Sequence, residues 1–162
     1  MYPLSSREPA VARSVDTESI SSWPTFNQAA DQQLETPDHF ITRDGVEYAG
    51  THLIFDFWGA EHLDDLELME TSLRRCVEVS GATLLHIHLH HFTPSGGISG
   101  VAVLAESHIS VHTWPERNYA AFDVFMCGDA VPEKSIPVLE KAFQPKKVDL
   151  TKHYRGEVTD HG

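Results

Sequence analysis

Between Ala82 and Met126 four apolar, strand-like runs follow one another with little chain between them: Ala82–Phe92, Ile98–Ala105, Ile109–Thr113 and Tyr119–Met126. A parallel crossover needs a dozen or more residues, and the longest connectors here, 93–97 and 114–118, have five. Neighbouring runs are therefore expected to pair antiparallel. Upstream, His52–Trp58 alternates, with Leu53, Phe55 and Phe57 on one face, as a half-buried strand does. Leu63, Leu66, Met69, Leu73, Cys76 and Val77 then recur at three- and four-residue spacing, which predicts an amphipathic helix ending at Gly81. A second helix is expected over Pro132–Phe143, with Ile136, Leu139 and Phe143 inward and Pro137 in its first turn or at a bend. Lys147–Leu150 reads as a short last strand before a polar tail. The order is strand, helix, four strands, helix, strand. The fold class this implies is α+β: a two-layer α/β sandwich whose mainly antiparallel sheet is covered on one face by two helices.

Composition narrows the field of functions. The chain has 162 residues, enough for one domain with a real core. No apolar run approaches the roughly 20 residues that span a membrane, and the N-terminus lacks the basic-then-apolar layout of a secretory signal. Two cysteines, Cys76 and Cys127, are too few for a disulfide framework, so a cytoplasmic setting is expected. A net charge of -12 disfavours nucleic acid and mildly favours a cationic small substrate. Residues 1–48 differ from the rest. Pro3, Pro9, Pro24 and Pro37 punctuate a Ser-, Gln- and Asp-rich stretch without a sustained period, which reads as a flexible extension. Its alternative is an arm docking on a neighbouring subunit through Trp23 and Phe26.

Reactive side chains gather where core strands are expected. Glu106, Ser107, His108, Ser110 and His112 lie in a stretch that otherwise alternates like a strand, and polar groups buried without partners cost free energy. Several chemistries could use these residues. His86, His88 and His90 share a strand face and could hold zinc. Metal sites usually draw on several elements and on supporting partners, however, and a polar strand face is the plainer account. Gly96-Gly97-Ile98-Ser99-Gly100 lacks the ending of a phosphate loop and no helix follows it, so a tight turn is expected. Ser99 stands eight residues before Ser107 on the adjoining strand, within expected reach of it. Ser107 with His112 lacks the Gly-x-Ser-x-Gly elbow of a serine hydrolase, and Cys127 with His112 is a possible thiol–imidazole pair. A further chemistry fits a serine directly after a glutamate. Its hydroxyl can attack the preceding carbonyl where the backbone is strained and the oxyanion stabilised. The ester formed can then eliminate, and hydrolysis of the dehydroalanine leaves a pyruvoyl group.

The run Gly100-Val101-Ala102-Val103-Leu104-Ala105-Glu106-Ser107-His108-Ile109-Ser110-Val111-His112-Thr113-Trp114-Pro115-Glu116, followed by Tyr119 to Gly128, resembles the bacterial S-adenosylmethionine decarboxylase proenzymes. The likeness extends over about residues 49–155. It implies a domain over 49–162 that cleaves itself between Glu106 and Ser107, giving a β chain 1–106 and an α chain 107–162 that opens with pyruvate made from Ser107. It implies that the pyruvoyl group, the covalent cofactor, holds the substrate amine as a Schiff base. Ser99 and His112 match the family's processing residues, the first hydrogen-bonding the ester and the second taking the α-proton. Cys127 matches the acid that returns a proton to the substrate carbon, Glu116 a carboxylate on the ribose hydroxyls, and Phe92 an aromatic stacking on adenine. The turn through Ser95-Gly96-Gly97 is one residue longer than the family's commonest form, which bears on Phe92. The resemblance further implies αβ protomers that dimerise with sites at or near the interface, no external cofactor, and a product that feeds spermidine synthesis. Two other readings stay open: the same pyruvoyl chemistry on arginine or ornithine, and a histidine-rich metal-binding module.

Overall fold

The computed structural model describes residues 40–158. A hairpin of β1 (Ile41–Arg43) and β2 (Val46–Tyr48) leads into β3 (Gly50–Trp58), α1 (Leu66–Ser80), β4 (Leu84–His91), β5 (Ile98–Leu104), β6 (Ser107–Trp114), β7 (Tyr119–Cys127), α2 (Ser135–Phe143) and β8 (Lys147–Arg155). The six long strands form one antiparallel sheet in the order β4-β5-β6-β7-β3-β8. The first long strand thus lies inside the sheet, between β7 and the last.

Each helix is set by local chemistry. The Asp65 carboxylate accepts from the Leu68 amide at 2.9 Å, and Gly81 closes α1 in the left-handed region at φ 76°. Leu63, expected on the helical stripe, sits before that cap. Pro137 falls in the first turn of α2, where an amide has no helical partner to lose. Met69, Leu73, Cys76 and Val77 of α1, with Leu139 and Phe143 of α2, pack on the same face of the sheet. There Phe122 stacks on Phe55 at 5.3 Å and meets Phe57 at 5.3 Å and Phe143 at 6.1 Å. Fully burying such rings contributes roughly 1.5–3 kcal/mol apiece.

The opposite face carries no helix. Ile54, Trp58, Val103 and Trp114 on it are each more than a third exposed. His52, beside His108 and Phe125, sits on this face too. The Arg155 guanidinium can only donate, so its 3.2 Å contact makes His52 Nδ1 the acceptor and leaves the proton on Nε2, which faces Asp123 at 3.4 Å. Burial keeps His52 below the ordinary imidazole pKa.

Two expectations are corrected. Residues 41–48, expected within the N-terminal extension, form a hairpin turned by Asp44 and Gly45 at φ 52° and 79°. Asp-Gly with both residues at positive φ is a strong hairpin signal. It was masked by strands too short to show a period. Residues 1–39 of that extension, with Trp23 and Phe26, lie outside the described residues. The final strand runs to Arg155 rather than stopping at Leu150, paired along its length with β3. As an edge strand exposed almost throughout, it has no apolar alternation to announce it.

Candidate active site

β5 and β6 are joined by two residues, Ala105 and Glu106, with Leu104 opposite Ser107. Glu106 adopts φ 59°. A side chain crowds the left-handed region, at a cost of roughly 1–2 kcal/mol. The backbone strain sits immediately before the Glu106–Ser107 bond. Ser107 is buried, sharing a strand face with Ile109, Val111 and Thr113, and its Oγ accepts from the Cys127 amide at 3.1 Å. Cys127 ends β7 half-buried. Burial raises its thiol pKa above the usual cysteine value, and the nearby Glu106 carboxylate raises it further, while a hydrogen bond with Ser107 pulls the other way. The thiol therefore keeps its proton at neutral pH. A cleft of about 350 Å³ opens here between Gly81–Thr83, Ala105–Ser107 and Cys127–Ala130.

A second cluster occupies the other end of the same hairpin. Ser99 lies directly opposite His112, and Ser99 Oγ meets His112 Nδ1 at 2.8 Å. One rung on, the Phe92–Gly97 turn is closed by Phe92 N–H donating to Gly97 O and Gly96 N–H donating to Phe92 O, both at 2.8 Å. It leaves Phe92 exposed with its ring 4.5 Å from that of His90. Glu116 sits in the single-turn 3-10 segment Pro115–Arg117 that follows β6. Tyr119 stacks between Trp58 at 4.4 Å and Trp114 at 5.2 Å, and its hydroxyl donates to Asp56 at 2.6 Å.

The structure thus divides the candidate residues into two groups. Glu106, Ser107 and Cys127 stand at one end of β6; Ser99, His112, Phe92 and Glu116 stand at or beyond the other. The expected reach from Ser99 to Ser107 within one chain is corrected. Five residue steps along β6 separate Ser107 from the Ser99–His112 rung, about 16 Å at about 3.3 Å per residue. Cys127 lies farther still from His112, six residue steps or about 20 Å at about 3.3 Å per residue, since His112 pairs with Ala121, so they form no thiol–imidazole pair within a chain. His86, His88 and His90 project from β4 opposite Val103, Val101 and Ser99. Among the described residues, no three His, Cys, Asp or Glu side chains lie close enough to hold a metal ion. No described helix is long and apolar enough to cross a membrane.

A chain of this α+β architecture matches known proteins. The family model for S-adenosylmethionine decarboxylase matches residues 51–156, and the chain belongs to that family. It is 42% identical over 112 residues to the S-adenosylmethionine decarboxylase proenzyme of Thermomicrobium roseum, covering 68% of this chain and 97% of that one. With the proenzyme of Methanococcus maripaludis it shares 48% identity over 118 residues, covering 71% and 96%. The crystal structure of the adenosylmethionine decarboxylase from Aquifex aeolicus superposes with a TM-score of 0.62 at 30% identity, covering 71% of this chain and 97% of that one.

Proposed function

We propose that this chain cleaves itself at Glu106–Ser107 and, so matured, removes carbon dioxide from S-adenosylmethionine. The observation that carries the proposal is the strained, left-handed Glu106 set directly before a buried Ser107 whose hydroxyl is held by the Cys127 amide. Ser107 Oγ adds to the Glu106 carbonyl carbon, the peptide C–N bond breaks, and an ester replaces the amide. Removal of the Ser107 α-proton expels the Glu106 carboxylate. The enamine left behind becomes an imine, takes up water and releases ammonia, leaving pyruvoyl at position 107. A hydroxyl placed at a sheet end beside a cleft suits this group, which supplies an electron sink for the decarboxylated substrate. Cys127, with its raised pKa, stands beside it as a proton donor.

His112 is assigned the α-proton and Ser99 the ester, with Glu116 on the ribose hydroxyls and Phe92 on adenine. Because these four lie a strand's length from Ser107 in their own chain, they serve the Ser107 of a second copy. An isologous pair brings two complementary half-sites together twice, and the helix-free sheet face, with its exposed Ile54, Val103 and tryptophans, is the surface that favours pairing. The decarboxylated product supplies aminopropyl groups to polyamine synthesis. Release of CO₂ from carboxyl-labelled S-adenosylmethionine, but not from labelled arginine or ornithine, tests the substrate assignment.

A further inference from the structure

Thr113 occupies a place on β6 where an apolar residue is expected. It continues the face of Ile109 and Val111, against the core, and is only 6% exposed. Valine has the same shape and no hydroxyl to satisfy, and a buried hydroxyl is costly unless bonded. This hydroxyl is bonded twice. Thr113 Oγ1 accepts from the Ile98 amide at 2.8 Å and donates to the Leu63 carbonyl at 2.9 Å. One side chain therefore joins three segments: the start of β5, the end of β6 and the loop leading into α1.

We propose that Thr113 is a positioning residue for the Ser99–His112 pair. The claim rests on the reading above that His112 takes the α-proton during self-cleavage. Strand ends are where a ladder opens first, and the Ser99–His112 rung is the last before the open end of the β5–β6 hairpin. Beyond that rung the Ile98 amide reaches a side chain, so the Thr113 hydroxyl stands in for the next step of the ladder. Ile98 precedes Ser99 and Thr113 follows His112, so fixing the first two residues fixes the other two. The same clasp carries the flanking turns. A Cβ at Gly97 would lie 2.9 Å from the Thr113 carbonyl oxygen, so the Phe92 turn approaches β6 closely there. The Glu116 turn begins two residues after Thr113. The link to Leu63 anchors the assembly to a loop that is itself tied down, with Ala60 N–H donating to Asn118 O at 2.9 Å and Glu61 N–H to Phe143 O at 2.7 Å.

The test compares Thr113→Val and Thr113→Ser with the parent chain by intact mass during expression and after purification. Brief hydroxylamine treatment reports ester still present at residue 107, because it cuts an ester there and leaves a free amino-terminal serine. Thr113→Val is expected to slow maturation at least tenfold and to accumulate hydroxylamine-cleavable ester, since the step that needs His112 stalls after acyl transfer. Thr113→Ser retains the hydroxyl and is expected to mature within about threefold of the parent. A merely structural threonine would lower the unfolding midpoint without ester build-up. The proposal is overturned if Thr113→Val matures at the parental rate, or if Thr113→Ser is as slow as Thr113→Val, which would assign the effect to packing. Should the parent chain itself remain uncut, it is the self-cleavage reading that fails.

Discussion

The amide of Cys127 donates to the hydroxyl of Ser107 at 3.1 Å, so one bond ties the end of β7 to the start of β6 at the proposed point of cleavage. The residue assigned to the first chemistry and the residue assigned to the last are registered against each other before either acts. Substitutions at the two should therefore separate the stages. Ser107→Ala is expected to stay full length and inactive. Cys127→Ala keeps its backbone amide, and is expected to mature within about tenfold of the parent while turnover falls by a hundredfold or more. Gel mobility and CO₂ release distinguish them; an uncut Cys127→Ala chain would show that the thiol itself serves maturation.

Strain at Glu106 supplies a second prediction. Glycine tolerates φ 59° without a side-chain clash. Glu106→Gly should remove about 1 kcal/mol of strain from the uncut state and slow cleavage by roughly fivefold. The unfolding midpoint, measured in a Ser107→Ala background, should hold or rise. A cleavage rate that matches the parent would mean the strain is not used.

The Cys127 thiol gives a pH signature. Its pKa is raised by burial and then by the Glu106 carboxylate, so the thiol form persists to higher pH than for an ordinary cysteine of about 8.5. In uncut Ser107→Ala protein, alkylation of Cys127 should therefore accelerate only above that pH. Adding Glu106→Gln removes a negative charge and should move the midpoint down. Cys76 does not interfere, since burial pushes it up to about 12. An unchanged or upward shift on adding Glu106→Gln contradicts the arrangement.

A shared site predicts complementation. Ser107→Ala and His112→Ala chains should each fail to mature alone. Mixed during refolding, they form pairs in which the His112→Ala chain supplies Ser107 and its partner supplies His112. Up to half of the His112→Ala chains should then be cut, as read by mass spectrometry. No cutting in demonstrably mixed pairs would return the site to a single chain.

The sheet was largely legible because Leu53, Phe55 and Phe57, like Ala120, Phe122 and Val124, alternate against a one-sided core. The full length of β8 is not legible because exposure on an edge removes that alternation, and the β1–β2 hairpin is not legible because three-residue strands are too short to display it. At the site, spacing marked Glu106, Ser107 and His112 as reactive but gave no direction. Counting residues made Ser99 and Ser107 neighbours, whereas antiparallel register sends each residue to the partner equidistant from the turn. That rule pairs Ser99 with His112 and Leu104 with Ser107, and it was readable once the turn was placed at Ala105-Glu106. Thr113 gave no signal, because a threonine within a β-branched strand looks like propensity until its two bonds are seen.

Intact mass spectrometry of the purified full-length chain tests the central claim most directly. The account predicts two polypeptides divided after Glu106, the second lacking a free amino group and carrying a ketone that reacts with a hydrazide. A single uncut species of 18.1 kDa, or a cut chain beginning with an ordinary serine, would contradict it.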